Sequence, residues 1–550
     1  MKTHTKALFV IPTYIDQTLE QDFKSPITVP YGILSLASYV KERCPSIEIR
    51  IIDFNTRNIP VAEQESVLRE TLQEFDPDLV GIALMFSFFN ESLYRLAALV
   101  KQIDPHRLVV AGGIAASNLH AQLLAHDAID AVCIGEGEIP FLDLVLSEDR
   151  RKTLQDHPSW ATLENVRNGE VFRPTFVQDL DEIPPIDYGL IDLGLYGERL
   201  IGKNQGKGSR YLVIHTTRGC PFDCIFCCAA ANHGKKIRSM SPERVISDTR
   251  EMVERYQLER LGIEDDQFVF NAKRAKAILK GLAEFHLKVE IPNGLSVRFI
   301  DDEMARLMRD AGVEGASLAI ESGSSRVLKD IIRKPLNLSE VKPAVDALRK
   351  YDISTLGLFV IGIPGETDED RQASIDFIRD LELDWAAIHI ATPFPGSRLY
   401  DLCLENGYIN VEDLSQKVGI YKGLIRTEDL DPEEMTEFAY LMNLEVNFVQ
   451  NNNLRTGRYA KAAIRLKNVV DKYPDQAFAH YYLARAYEHL PHVDPKLIQF
   501  HRERFYCIIA EDKKWMEYAL RFNLVPATEI SMNPRGEAES IYESSNQAAH

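Results

Sequence analysis

Three cysteines lie within eight residues near the middle of the chain, and this cluster constrains the fold more than any other feature. Cys220, Cys224 and Cys227 are separated by four and then three positions. The apolar run from 211 to 216 before them predicts a buried strand, and the glycine and proline that flank Cys220 predict a loop. The thiols should therefore lie at the carboxyl end of a strand, where α/β sheets and barrels place their chemistry.

Thiolates are soft ligands that suit zinc or an iron–sulfur cluster. A structural zinc site is closed by four ligands. Three cysteines would instead leave one iron of a four-iron cluster without a protein ligand, free to bind a substrate or cofactor. Four of the eight cysteines in the chain fall within nine residues, from Cys220 to Cys228, which scattered buried cysteines would rarely do. Cys228 directly follows Cys227, so its side chain should point elsewhere. Zinc stays open as the competing interpretation at this point.

The pattern Cys220-x-x-x-Cys224-x-Phe226-Cys227 resembles the signature of the radical SAM superfamily. The resemblance implies that Cys220, Cys224 and Cys227 bind a [4Fe-4S] cluster. It also implies that the open iron is chelated by S-adenosylmethionine (SAM), and that Phe226 lies near the adenine of SAM.

Residues 1–149 alternate strand and helix patterns, which predicts an N-terminal, Rossmann-like doubly wound parallel sheet. Such sheets bind ligands at the carboxyl ends of their strands. There the chain places Ser87, the pair Gly112–Gly113 and the run Gly135–Glu138. Gly-x-Gly-x-x-Gly does not occur in this segment, so a dinucleotide site is not supported.

Together with the segment around Tyr31, these runs resemble, in order, the cobalamin-binding domain that precedes many radical SAM domains. The resemblance implies cobalamin contacts from Tyr31, Ser87, Gly112, Gly113, Gly135 and Glu136. No Asp-x-His-x-x-Gly motif is present, so we expect no histidine ligand on the lower face of the cobalt. A domain that keeps this fold and has lost the cofactor is the alternative.

Residues 150–210 carry no long apolar periodicity and are expected to form a linker. The run Gly202–Ser209 predicts a solvated loop, with a mobile flap as the alternative. From residue 211 to 430, six strand–helix units predict a partial (β/α)6 barrel of the TIM type. Asp301 and Ser339 are typical helix N-caps within it.

Polar residues follow five successive strands of the predicted barrel. Carboxylates can accept from the ammonium of SAM, a guanidinium can fork to its carboxylate, and hydroxyl or carboxylate groups can bond its ribose. The same stretches resemble the SAM-contacting segments of radical SAM enzymes with cobalamin domains. The residues predicted to contact SAM there are Asp265, Asp266, Ser296, Arg298 and Glu321. His389, on the sixth strand, could face the pocket or be a core histidine.

Residues 431–550 have a helical pattern. Two of the predicted helices resemble tetratricopeptide helices, but one pair cannot form a solenoid. We therefore favour a helical cap packed on the barrel over a partner-binding array. The tail from Ser531 is expected to be disordered.

The charge and composition exclude several classes of protein. A net charge of −19 over 550 residues argues against a broad basic surface for nucleic acid. No apolar run of about 18 residues predicts a membrane span, and the first apolar run is typical of a strand rather than a signal peptide. Clustered cysteines fit a reducing compartment, so a cytoplasmic location is expected.

These features predict a cobalamin-dependent radical SAM enzyme. The resemblance implies reductive cleavage of SAM to a 5′-deoxyadenosyl radical, hydrogen abstraction, and C-methylation of an unactivated carbon in a biosynthetic intermediate. It also implies an external electron donor of the flavodoxin or ferredoxin type. Rearrangement, cyclisation or carbon–carbon coupling without methyl transfer is the alternative, and a non-enzymatic cobalamin or cluster sensor is a further one. No motif identifies the small-molecule substrate or a catalytic acid or base.

Overall fold

A computed structural model describes six ranges of the chain: residues 5–13, 29–56, 59–85, 90–196, 210–410 and 421–525. Ser87, the Gly202–Ser209 run and the tail from Ser531 lie outside these ranges. Within them, no helix has the length and apolar character needed to cross a membrane.

The first region is built on a six-stranded sheet with the order β2-β1-β3-β4-β5-β6. Its strands are β1 Lys6–Ile11, β2 Glu48–Asp53, β3 Leu79–Ala83, β4 Leu108–Gly112, β5 Ala131–Cys133 and β6 Trp160–Ala161. β1 to β5 are parallel and β6 is antiparallel to β5. This order reverses direction between β1 and β3, and open α/β sheets bind ligands at such a switch point. The predicted parallel sheet is confirmed.

Helices cover both faces of this sheet, and a separate apolar core lies on each face. The helices are α1 Tyr31–Arg43, α2 Val61–Phe75, α3 Asn90–Ile103, α4 Ile114–Asn118, α5 His120–Leu123, α6 Glu138–Leu146, α7 Arg150–Asp156 and α8 Leu163–Arg167. The segment predicted as a linker contains α7, β6, α8 and three short 3₁₀ turns. Elements of two to seven residues are too short to show an apolar period, so no periodic pattern predicts them.

The central region contains six parallel strands in succession. They are β7 Tyr211–Ile214, β10 Arg260–Ile263, β11 Lys288–Glu290, β12 Gly315–Glu321, β13 Ser354–Ile361 and β14 Trp385–Ile390. β7, β10 and β11 form one sheet, and β12, β13 and β14 form another. Isolated parallel bridges, Val289 to Val313 and Leu295 to Leu318, join the two sheets. This succession is consistent with the predicted partial barrel.

A short antiparallel pair, β8 Thr217–Arg218 and β9 Arg238–Ser239, brackets the cysteines. The helices of this region are α9 Ala229–His233, α10 Pro242–Tyr256, α11 Ala272–Leu282, α12 Asp302–Asp310, α13 Val341–Lys350, α14 Asp368–Asp380 and α15 Arg398–Glu405. A π-helix spans Val327–Ile332. Asp301 caps α12 as predicted, because its side chain accepts from the Met304 amide. The prediction for Ser339 is wrong: it lies inside a 3₁₀ turn that Asn337 caps.

The C-terminal region is helical, as predicted, and has its own apolar core. Its helices are α16 Pro432–Leu444, α17 Asn452–Arg455, α18 Tyr459–Lys472, α19 Ala477–Glu488, α20 Pro495–Glu511 and α21 Lys513–Arg521, with a π-helix at Glu445–Val449.

This helical region packs on β14, the last strand of the central region. The Asn447 side chain accepts from the Ala386 amide at 2.8 Å and donates to the Ala386 carbonyl at 2.7 Å. Trp385 packs edge-to-face on Phe448, with ring centroids 5.4 Å apart. These four residues are called the helical junction below. A helical cap on the barrel accounts for this packing.

Candidate active site

The cysteine loop, residues 219–228, is fixed to distant parts of the central region through its backbone. The Cys220 amide donates to the Gly234 carbonyl at 3.1 Å. The Ile225 peptide is held on both sides: its amide donates to the Ile332 carbonyl at 3.0 Å and its carbonyl accepts from the Leu399 amide at 2.8 Å. The loop is therefore positioned by segments that follow β8, β12 and β14.

Gly219 starts this loop in a conformation that other residues rarely adopt. Its φ is +97°, and a Cβ atom there would lie 2.5 Å from the Lys236 carbonyl oxygen. The Gly219 amide donates to Asp266 Oδ2 at 3.0 Å. Asp266, predicted to contact SAM, thus anchors the cysteine loop with one oxygen.

The three thiols of the predicted cluster site differ in exposure. Cys220 is 7% exposed, Cys224 is half-buried and Cys227 is exposed. Gln267 Nε2 donates to Cys220 Sγ at 3.4 Å, and the Ala229 amide donates to Cys227 Sγ at 3.5 Å. N–H donors of this kind stabilise thiolates, so the surroundings fit metal-bound sulfur.

The adjacent Cys228 points elsewhere, as predicted. Its sulfur lies 3.5 Å from the Pro395 carbonyl oxygen, at the loop that follows β14. It is therefore a neighbour of the three cysteines in sequence but is turned toward a different segment.

The donor set of three thiols fits a four-iron cluster. The three sulfurs lie close enough to act on one another electrostatically. In a four-iron cluster each thiolate binds a different iron. Burial raises the pKa of Cys224 to about 12, so that thiol is protonated until iron displaces the proton.

A buried lysine lies beside these thiols, and sequence reasoning missed it. The π-helix before it and Arg333, in the left-handed region at φ +64°, turn Lys334 inward. Lys334 Nζ is 3.2 Å from Glu321 Oε1. Burial lowers the pKa of Lys334, but Glu321 and the nearby Cys224 outweigh this and raise it overall. Lys334 therefore supplies a fixed positive charge at the cluster site.

The prediction that Asp265 contacts SAM does not fit its position. Asp265 is 2% exposed, and the amide and the hydroxyl of Thr216 donate to its two carboxylate oxygens at 2.5 Å each. The carboxylate thus joins the segments that follow β10 and β7, and its burial leaves little access for the ammonium of SAM. Asp265 is a structural residue of the strand ends.

The other residues predicted to contact SAM lie around the same loop. Phe226 is half-buried against the central core, and Ser296 opens a 3₁₀ turn without capping it. Arg298 is exposed, with its guanidinium 5.5 Å from the Phe299 ring centroid. Glu321 is held by its lysine partner. Contacts from these residues to SAM stay predictions.

One face of the central sheet is only half-buried. Along β12 and β14, half-buried residues alternate with buried ones, so the half-buried set shares one face of the sheet. Ala319, Leu358 and Ala387 lie level on three neighbouring strands of that face. His389 lies further along it, near the Tyr421 ring, and is therefore not a fully buried core histidine. Burial lowers the pKa of His389.

The carboxyl edge of the first sheet presents an apolar surface. Met85, after β3, is 47% exposed, and Ile114, after β4, is 43% exposed. Between them Gly113 has φ +104°, and a Cβ there would lie 2.6 Å from the Leu84 carbonyl oxygen. Exposed apolar side chains beside a flat glycine backbone fit a broad macrocycle such as a corrin. Contacts from Gly112 and Gly113 to cobalamin stay predictions.

Two other residues predicted for cobalamin face the central region instead. The Tyr31 ring is buried and stacks on His215 at 4.4 Å between centroids. A Cβ on Gly135 would lie 2.9 Å from Pro174 and 3.4 Å from the carbonyl oxygen of Asn232, a residue of the central region. Their contacts to cobalamin stay predictions.

Glu136, also predicted to contact cobalamin, is the centre of a buried charge cluster. Arg218 donates to Glu136 Oε2 at 3.1 Å, and Arg238 donates to both carboxylate oxygens at 2.8 and 2.5 Å. His233 Nδ1 is 3.0 Å from Oε1. Burial raises the pKa of Glu136, but these cations hold it well below its usual value. A carboxylate occupied in this way does not fit the predicted cobalamin contact.

Glu138 extends the cluster. Its Oε1 accepts from Arg218 at 2.8 Å and from the Ser35 hydroxyl at 2.7 Å. The six residues Ser35, Glu136, Glu138, Arg218, His233 and Arg238 are called the ion network below. It joins α1 and the β5–α6 turn of the first region to both ends of the segment that carries the cysteines.

Two family models match the chain. The model described as "Radical SAM superfamily" matches residues 214–378, and the model described as "B12 binding domain" matches residues 25–145. The two matches contain, respectively, the cysteine loop and the carboxyl edge of the first sheet.

Two related proteins match over most of their length. The chain is 32% identical over 384 residues to "Uncharacterized methyltransferase PH0819" of Pyrococcus horikoshii, covering 69% of this chain and 79% of that protein. It is 27% identical over 466 residues to the cytidylyl-2-hydroxyethylphosphonate methyltransferase of Streptomyces wedmorensis, covering 76% and 86%.

The fold is similar to that of a solved structure, the cobalamin-dependent S-adenosylmethionine radical enzyme OxsB. The TM-score is 0.61 at 14% sequence identity, over 96% of this chain and 82% of that one. The similarity extends over the first sheet, the central strands and the helical region.

Proposed function

The chain belongs to the cobalamin-binding radical SAM family, and on that premise we propose that it is a methyltransferase acting on an unactivated carbon of a small molecule. The cofactors of this family are a [4Fe-4S] cluster, SAM and cobalamin. When bound, they supply a hydrogen-abstracting radical and a transferable methyl group. The observation that carries the proposal is the three-cysteine loop held by buried charges against the first region.

The chain's own residues hold and orient these groups. Cys220, Cys224 and Cys227 are the ligands for the cluster, and Lys334 places a fixed cation beside them. The apolar edge around Gly113 is the platform for the corrin. Phe226, Ser296, Arg298 and Glu321 are the residues we propose to orient SAM.

The half-buried face of the central sheet is the proposed substrate surface. It carries Ala319, Leu358 and Ala387 side by side, which are small or apolar and cannot take or give a proton. Such a face binds carbon skeletons and excludes water from a reactive radical. His389, whose pKa is lowered by burial, can offer a neutral imidazole to a polar group of the substrate.

We propose that the reducing electron comes from an external protein of the flavodoxin or ferredoxin type. Basic residues surround the outer side of the cysteine loop: Lys235 pairs with Asp223 at 2.5 Å, and Arg333 and Arg398 act on the same carboxylate. Acidic electron carriers would be attracted to this rim by charge.

The test is anaerobic reconstitution with iron, sulfide, cobalamin, SAM and reductant. We expect 5′-deoxyadenosine and, with a competent substrate, a product heavier by one methyl group. Cys227→Ala should remove both activity and cluster absorbance. The matched control is Cys228→Ala, whose sulfur is turned away from the loop and whose loss should leave cluster content unchanged.

Each result has a definite meaning. A loaded protein that yields no 5′-deoxyadenosine would overturn the assignment as an enzyme of this type. Cleavage of SAM with a product of unchanged methyl count would replace methyl transfer by rearrangement, cyclisation or carbon–carbon coupling.

A further inference from the structure

The ion network connects the two loops that carry the proposed cofactor sites. Glu136 lies on the turn after β5 and Glu138 opens α6, at the carboxyl edge of the first sheet. Arg218 lies two residues before Cys220, and Arg238 lies on the strand that closes the cysteine segment. One set of charges therefore touches the corrin side and the cluster side together.

Glu136 is needed between two arginines. Arg218 and Arg238 are cross-strand partners in the β8–β9 pair, and like charges placed directly opposite destabilise such a pair. The Glu136 carboxylate lies between them and bonds to both guanidinium groups. Without that carboxylate the two cations would repel each other beside the cysteine loop.

The contacts are also directional and dry. The side chains of Glu136, Arg218 and Arg238 are each at most 8% exposed. Arg238 grips both oxygens of Glu136 with two parallel bonds, a geometry that fixes angle as well as distance. Apolar surfaces can slide on one another, whereas a forked pair of this kind has one arrangement. Setting register is the best-attested use of buried charged groups.

Other polar links between the two loops are weaker. Asn118 donates to Asn232 at 3.4 Å, near the limit of a hydrogen bond, and Tyr31 meets His215 by ring stacking and one backbone hydrogen bond. Neither contact has the forked geometry of the network.

We propose that Glu136 is a positioning residue that sets the separation of the corrin and the iron–sulfur cluster. The inference rests on the proposed function, because it needs both cofactors to bind. Glu136 itself touches neither: it acts through Arg218 on the cysteine loop, and through its own backbone on the corrin edge.

The test measures a distance rather than an activity. Cobalamin is bound as cob(II)alamin in protein that carries its cluster. A nitroxide is attached at Lys342→Cys, an exposed position on α13, after replacement of Cys44, Cys228 and Cys507 but not of the three cluster cysteines. Pulsed dipolar electron paramagnetic resonance then gives the distribution of distances between the two spins. We expect one narrow distance with Glu136 present and a broad or displaced distribution in Glu136→Gln.

The control is Asp130→Asn. Asp130 pairs with Lys101 at 2.7 Å inside the first region, so its loss removes a half-buried ion pair without touching the network. Its distance distribution should match the parent. A Glu136→Gln distribution as narrow and centred as that of Asp130→Asn would overturn the proposal.

Two further outcomes of the experiment also have a definite meaning. Should Glu136→Gln fail to fold, Glu138→Gln removes one arm of the same network and carries the same expectation. A parent protein that takes up no cobalamin overturns the proposed function itself, a result distinct from an unchanged distance.

Discussion

The central region meets its two neighbours through different kinds of buried contact. Ion pairs also join it to the C-terminal helices, but their side chains are partly exposed, as in the pair Arg379–Glu445. Against the first region it uses the ion network, in which Glu136 holds Arg218 and Arg238 in a buried, charged arrangement. Against the C-terminal helices it uses the helical junction, in which the neutral Asn447 amide bonds the edge of β14 and Trp385 packs on Phe448.

The difference corresponds to what each contact has to do. Buried charges are costly to desolvate, so they are expected where a defined position is worth that cost. The helical junction satisfies the free backbone groups of an edge strand and covers apolar surface, tasks for which a neutral amide and two aromatic rings suffice. Relative placement is thus more tightly specified on the side that carries both cofactor loops.

The largest expected effect comes from breaking the ion network. Glu136→Gln leaves the buried Arg238 without a carboxylate partner and leaves Arg218 paired with Glu138 alone. Removing one member of a buried ion pair costs roughly 3–5 kcal/mol. The urea midpoint should fall accordingly. Glu63→Gln, an exposed residue of α2, is the control and should leave the midpoint unchanged. An equal midpoint for both variants would show that the network contributes no stability.

A fall in pH should destabilise the C-terminal helices before it affects the ion network. His480 and His501 are buried with their Nδ1 atoms 2.9 Å apart, and burial lowers the pKa of His480 to about 4 and that of His501 to about 3. The unfolded imidazoles bind protons below about pH 6.5, while the folded ones do not. Stability is therefore complete above that pH and is lost as pH falls toward 4, by about 3 kcal/mol for His480 alone.

Hydrogen exchange read by region checks this expectation. Between pH 7 and 4, protection should fall first in α19 and α20, while the β5–α6 turn keeps its protection because the pKa of Glu136 stays well below its usual value. The variant His501→Gln should flatten the pH dependence. Equal loss of protection at both ends would contradict the contrast drawn between them.

The smallest of the three effects concerns the helical junction. Asn447→Ala leaves the amide and carbonyl of Ala386 without their side-chain partner, and an unsatisfied buried group costs about 1–3 kcal/mol. Thermal unfolding of the variant measures it. Asn406→Ala, which removes an exposed bond at the end of α15, is the matched control. A loss as large as that of Glu136→Gln would remove the distinction between charged and neutral contacts.

The sequence predicted features that depend on neighbouring residues. A strand followed by glycine and cysteines placed the Cys220 loop, and an aspartate at the start of a helical pattern marked Asp301 as a helix cap. The alternation of strands and helices predicted the parallel strands of both the first region and the central region. Each of these features depends on local backbone geometry, which a few consecutive residues determine.

Partners that are distant in sequence could not be predicted. Thr216 donates hydrogen bonds to both carboxylate oxygens of Asp265, which lies 49 positions away in the sequence. Arg218 donates to Glu136, which lies 82 positions away. In the sequence both carboxylates look free, because nothing local shows which cation or amide the fold brings to them. The cation at Lys334 was missed for the same reason, since a π-helix has no sequence period of its own.

The edge strand β14 sets a practical limit on shortening the protein. Asn447, which lies beyond residue 430, hydrogen-bonds the backbone amide and carbonyl of Ala386. A fragment ending near residue 430 would expose an unpaired strand to other copies of itself, and exposed edges promote aggregation by strand addition. Insoluble material from such a fragment would then reflect an uncovered hydrogen-bonding edge, and it would say nothing against the integrity of the cysteine loop.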